Sequence, residues 1–104
     1  MEERFLQLSR AMLRMQEALL GVVTPELRSV TVDIDSNEKI LFFGFFYDGE
    51  LKSEFYDLAQ MACSKAAANF PQYSLRETIV RIDFPQKIPF RGRYAYLRKE
   101  EICK

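Results

Sequence analysis

Histidine is absent from this chain of 104 residues, and cysteine occurs only twice. The first absence removes the commonest general base and the commonest transition-metal ligand. It also means that a serine cannot be activated by an imidazole. The two cysteines, Cys63 and Cys103, show neither a CxxC nor another zinc spacing. Cys63 falls among alanines in a predicted helix and Cys103 next to the terminus, which points to two free thiols in a reducing compartment. Glycine is scarce, and Gly44, Gly49 and Gly92 do not form a phosphate loop. Net charge is missing too, with 15 basic and 15 acidic residues, which argues against a dedicated nucleic-acid binder. The longest apolar run, Ile40–Tyr47, is far shorter than the roughly 20 residues a membrane helix needs. Met1-Glu2-Glu3-Arg4 does not resemble the basic start of a signal peptide. Together these absences predict a single cytoplasmic domain over 1–104, without cofactor, metal site or membrane contact.

What the chain does have is centred on that run, Ile-Leu-Phe-Phe-Gly-Phe-Phe-Tyr. In a strand, alternate side chains point to opposite faces, so Ile40, Phe42, Gly44 and Phe46 share one face. Leu41, Phe43, Phe45 and Tyr47 share the other. A strand covered on one side only would alternate apolar with polar residues. Something must therefore bury both faces here. Gly44 suggests a bulge or the close approach of another backbone.

The remaining elements follow from periodicity. Phe5, Leu8, Met12, Met15 and Leu19 recur at helical spacing, with Leu6, Leu13 and Leu20 widening the stripe on one flank. The spacing predicts a helix over 3–20 that packs on a sheet, a coiled-coil seam being the other reading. Gly21 is a natural C-terminal stop. Val30, Val32 and Ile34 alternate with polar residues in a first strand, and Asp35-Ser36-Asn37 is a turn leading into the second. After Asp48-Gly49-Glu50 a second helix carries Leu51, Phe55, Leu58, Ala59, Ala62, Ala66 and Phe70 as its buried stripe. Residues 75–84 and Arg93–Lys99 read as strands three and four, separated by a proline-bearing loop. The expected fold is α+β: a two-layer sandwich in the order α-β-β-α-β-β, its four-stranded sheet antiparallel and both helices on one face.

The helices are expected to cover Phe42, Phe46, Val30, Val32, Val80 and Ile82, with Phe5, Leu8, Met12, Phe55, Leu58 and Ala62 as their partners. That leaves Leu41, Phe43, Phe45 and Tyr47 as a hydrophobic interface, with Ile79 as a neighbour. Either the sheet closes a second small core over this patch, or a partner or second copy covers it.

Candidate chemistry is thin. Asp33, Asp35 and Glu38 lack a calcium-loop spacing and read as a solvated turn. Asp48 and Glu50 flank a tight turn, where capping or solubility is the simpler role than acid–base work. Charge is unevenly spread, however. Asp33 to Asp57 holds seven acidic residues and two lysines, whereas Gln86 to Lys104 holds six basic residues and two glutamates. The acidic half could steer a basic protein partner. The basic segment, with Phe90, Tyr94 and Tyr96, could stack single-stranded bases.

Four stretches carry a resemblance. They are Leu20-Gly-Val-Val-Thr-Pro-Glu-Leu-Arg (20–28), Phe-Phe-Tyr-Asp-Gly-Glu (45–50), Ile-Val-Arg-Ile-Asp-Phe-Pro (79–85) and Tyr-Leu-Arg-Lys-Glu (96–100). In these the chain resembles small bacterial immunity proteins of polymorphic toxin systems, contact-dependent growth inhibition among them. The resemblance implies a cytoplasmic, non-enzymatic protein that neutralises a cognate toxin, commonly a nuclease, by binding over its active site. An acidic surface would suit the basic cleft of such an enzyme, which selects Asp48, Glu50, Glu54 and Asp57 as the partner-binding group. Many nuclease inhibitors are strongly acidic, whereas this chain is neutral overall. The alternative function is a self-associating structural or ligand-binding domain whose second strand closes a homodimer.

Overall fold

The computed structural model of the chain describes residues 2–89 and 92–100, with side chains from residue 5 onward. Met1, Phe90, Cys103 and Lys104, named above, lie outside the described residues. Six elements are present: α1 (Glu2–Ala18), β1 (Leu27–Asp35), β2 (Ile40–Tyr47), α2 (Ser53–Ala67), β3 (Ser74–Arg81) and β4 (Arg93–Leu97). The strands form one mixed sheet in the order β3-β2-β1-β4. β1 is antiparallel to both β2 and β4, but β2 and β3 run parallel. This corrects the expectation of a fully antiparallel sheet. The cause is α2: adjacent strands joined by a crossover helix run the same way, whereas an antiparallel neighbour would follow through a hairpin.

Both helices pack on one face and share a core with the sheet. The facing of β2 is the reverse of the expected one. Leu41, Phe43, Phe45 and Tyr47 are at most 1% exposed and lie in this core, so they form no hydrophobic interface on the surface. Ile79 packs there with them. Tyr47 stacks on Phe55 of α2 at 4.8 Å between ring centres. Phe42, Phe46, Val80 and Ile82, expected beneath the helices, instead line the opposite face with Thr31, Gly44 and Thr78. Val30, Val32 and Ile34 face the helices as predicted, opposite Phe45, Phe43 and Leu41 respectively.

Loop parity explains the reversal. The β1–β2 turn spans four residues, 36–39, and so pairs Asp35 with Ile40. Even-numbered residues of β1 then meet odd-numbered residues of β2. A loop one residue shorter would have flipped every side chain of β2. Asp35 holds the turn through its Oδ1, which accepts from the backbone N–H groups of Asn37 and Glu38, both at 3.0 Å.

The second face is crossed by the chain itself. β3 and β4 are opposite edges of the sheet, and the described part of the connection between them, residues 82–89 and 92, which we call the strap, lies over β2 and β1. Pro89 lines a groove of about 250 Å³ with Thr31, Phe42, Phe46 and Val80. Gly92 then comes so close to β1 that a Cβ there would overlap the Val32 carbonyl oxygen. Gly44 carries no bulge; it pairs regularly with Thr31 and Thr78. Its missing side chain is filled by Phe46, whose ring would lie 2.9 Å from a Cβ at position 44, and by the Thr31 hydroxyl at 2.6 Å. The bulges are in β1 near Arg28 and in the β1–β4 pairing beside Val30.

Candidate partner-binding surface

One end of the sheet carries a network of ion pairs joining Arg28, Arg98, Glu100 and Asp48. Arg28, only 3% exposed, sits where the β1 bulge turns it onto the strap side. Its Nε and Nη2 donate to the two carboxylate oxygens of Glu100 at 2.7 and 3.0 Å. Its Nη1 donates to the backbone carbonyls of Ile82 and Gln86 at 2.7 and 2.9 Å. A planar guanidinium suits this forked contact, which a lysine could not reproduce. Arg98 extends the network, its Nη2 donating to Glu100 and Asp48 and its Nη1 to the Pro25 carbonyl. Arg28 holds the Glu100 carboxyl below the ordinary glutamate range, burial opposing it and Arg98 assisting. Asp83 is likewise held low, first by its hydrogen bond with Arg81 and then by the Gly49 N–H.

These matched charges tie the strap, β1, β4 and the β2–α2 turn together. Asp48 belongs to them. It is half-buried, with Oδ2 at 3.0 Å from Arg98 and Oδ1 accepting from the Phe84 N–H at 3.3 Å. Its predicted companions differ. Glu50, Glu54 and Asp57 are exposed and make no hydrogen bond or ion pair among the described residues. None of the four caps α2: the N-cap is Lys52, which makes no side-chain cap bond. Glu54 does lie in the first turn, where a negative charge complements the helix dipole.

α2 buries Phe55, Ala59, Ala62, Cys63 and Ala66. The 3.6-residue period therefore turns Glu54, Asp57 and Met61 to the outside. Met61 is 45% exposed, and Tyr56, on the opposite flank, 40%. Sequence reasoning passed over both, although neither falls on the buried stripe. An apolar side chain off the stripe is the signal that finds them. The outcome is an outer helix face on which Met61 stands with Glu54 and Asp57, with Tyr56 exposed on the opposite flank and Glu50 in the turn before the helix. An exposed apolar side chain beside carboxylates suits a protein interface better than a reaction centre. Among the described residues no cluster of histidine, cysteine, aspartate or glutamate could hold a metal ion. No helix among them is long and apolar enough to cross a membrane.

Residues 9–100 match the MafI2 immunity protein family. The chain belongs to that family. No curated protein matches the chain. Membership in the MafI2 family makes this an immunity protein of a polymorphic toxin system of the Maf type, with a cognate toxin as its partner. The family match does not specify contact-dependent growth inhibition, which the sequence resemblance named. MafI2 proteins, as immunity proteins, act by neutralising a toxin and are in general not catalysts.

Proposed function

We propose that the protein neutralises a nuclease toxin in the cytoplasm by lying over its active site, and that the outer face of α2 makes the contact. The observation that carries this reading is the set of exposed carboxylates, Glu54 and Asp57 beside Met61 on the outer face of α2 and Glu50 in the turn before it, with Tyr56 exposed on the other flank. A nuclease cleft is basic because it holds phosphates, so carboxylates complement it while the exposed methionine supplies an anchor. Asp48 acts from behind: bonded to Arg98, it orients the turn that presents Glu50. Delivery of the toxin by direct contact between cells belongs to the same proposal.

The test is the double substitution Glu50→Lys with Asp57→Lys. Both residues are exposed, so circular dichroism should remain that of the wild type. Protection of cells expressing the cognate toxin should fall, and association should slow more at low salt than at high. Unchanged protection and affinity would move the contact elsewhere, first to the basic segment that ends at Lys99.

A further inference from the structure

α1 carries a second unpartnered surface, remote from the ionic network. The helix turns Leu8, Ala11, Met15 and Ala18 into the core. Leu6, Leu13 and Leu20, spaced by seven, fall on the opposite crest and are 60%, 53% and 80% exposed. Leu20 lies in the tight turn just past α1, its N–H donating to the Glu17 carbonyl at 3.3 Å, and is spaced to continue the crest before Gly21 turns the chain at positive φ. Isolated exposed leucines are ordinary on protein surfaces, but three spaced by seven along α1 and the turn that follows it, roughly 20 Å from end to end, form a seam.

The residues beside the seam also repeat every seven positions. Arg10 and Glu17 flank it on one side, Ser9 and Gln16 on the other. Now let a second copy of α1 lie antiparallel across the crest, with the two-fold axis at Leu13. Leu13 meets Leu13 of the other copy, and Leu6 meets Leu20. A two-fold axis perpendicular to both helices brings like flanks together. Arg10 of each copy then stands beside Glu17 of the other, and Ser9 beside Gln16. A parallel pairing would instead set the charged flank against the Ser9–Gln16 flank and form no ion pair. The strip is thus complementary to its own antiparallel copy, which a surface shaped for a foreign partner has no need to be. Both charges can exchange their present polar contacts, which are solvent-exposed: among the described residues Glu17 pairs with Arg14 at 3.0 Å, and Arg10 bonds Gln7 and lies over the Phe70 ring.

We infer that the protein forms a two-fold homodimer through antiparallel packing of α1 on α1, centred on Leu13. The acidic face of α2 takes no part in this contact. One helix against another buries less than the roughly 800 Å² per partner of a standard interface, so the dimer is reversible, with a dissociation constant in the micromolar range.

Sedimentation equilibrium across a dilution series, from about 1 mM to about 1 μM, tests this on the full chain. The wild-type mass should rise from the single-chain 12.2 kDa toward twice that value. Leu13→Asp sets two carboxylates at the axis and should leave a monomer at every concentration, with an unchanged circular dichroism spectrum because the site is on the surface. Arg10→Glu should weaken the dimer about tenfold, since both symmetric sites exchange attraction for repulsion. Arg10→Glu combined with Glu17→Arg should restore it to within about threefold of wild type. A single-chain mass for the wild type throughout would give the crest to another occupant, the toxin included, and overturn the inference. So would a dimer that survives Leu13→Asp, or a double charge reversal no tighter than Arg10→Glu alone.

Discussion

Arg28 and Glu100, separated by 72 residues in the chain, meet in a forked ion pair with contacts of 2.7 and 3.0 Å. The arginine side chain is 4% exposed and the glutamate 16%. Breaking a buried pair from one side leaves the other charge desolvated, which typically costs about 3–5 kcal/mol. Arg28→Leu should therefore destabilise the fold by about that amount in urea unfolding, since Ile82, Gln86 and Glu100 all lose their donor. Glu100→Gln should cost less, because the amide can still accept one of the bonds.

The same pair sets an acid limit. The folded Glu100 carboxyl lies below the ordinary value of 4.5, so its stabilisation is present above that pH and disappears as pH falls through the depressed folded value. Thermal melts should show the wild type losing stability below about pH 4.5 more steeply than Glu100→Gln does. Equal slopes for the two proteins would place the acid sensitivity elsewhere.

Truncation along β2 should report which face is the core. Phe43→Ala and Phe45→Ala should each cost about 3–5 kcal/mol, and half-buried Phe42→Ala clearly less. Unfolding midpoints measured side by side give the order. A larger loss for Phe42→Ala would contradict the facing of the strand.

Gly44 and Phe46 should behave as one unit. Gly44→Ala forces its methyl group against the Phe46 ring and the Thr31 hydroxyl, a form of overpacking that costs about 1–3 kcal/mol. Trimming the ring in Phe46→Leu should make the same glycine substitution cheaper. A double-mutant cycle should therefore give a coupling beyond about 0.5 kcal/mol; strict additivity would show that the ring yields freely.

Cys63 should be chemically silent in the native protein. Burial pushes its thiol up to about 12, from an ordinary value of 9.0. The neutral form is the one the core accepts, so stability from this site is intact below pH 9.0 and declines as pH rises from there toward the folded value. A thiol reagent should label Cys63 only at the rate of unfolding, and labelling as fast as a free thiol would mean that the core opens locally.

Much of the architecture was legible where one periodicity dominated. Val30, Val32 and Ile34 against their polar alternates defined a strand and its inner face, and Leu8, Met15 and Leu19 defined the buried side of α1, although Phe5 on the same stripe is 55% exposed. β2 was not legible in this way, because both of its faces are apolar and parity alone carries no preference. Its facing depended on the length of the turn at 36–39, one residue either way. The direction of β3 was readable from a strand-helix-strand order, yet the hairpin-like alternation of its residues drew attention away. At the candidate surface, Glu50, Glu54 and Asp57 could be found from charge alone. Asp48 could not be separated from them, because its partner Arg98 is 50 residues distant in the chain.

Because β3 and β4 are opposite edges of the sheet, a chain still leaving the ribosome meets a particular hazard. Through Arg81 a nascent polypeptide holds β1, β2 and β3, and it can bury the aromatic core beneath its two helices. One edge of β1 nevertheless waits bare until Arg93–Leu97 emerges, and Arg28 waits for Glu100. That bare edge is where a half-made chain would pair with its neighbours on a polysome. The interval before Arg93–Leu97 and Glu100 are free to dock is therefore when this small domain is most exposed to misassembly.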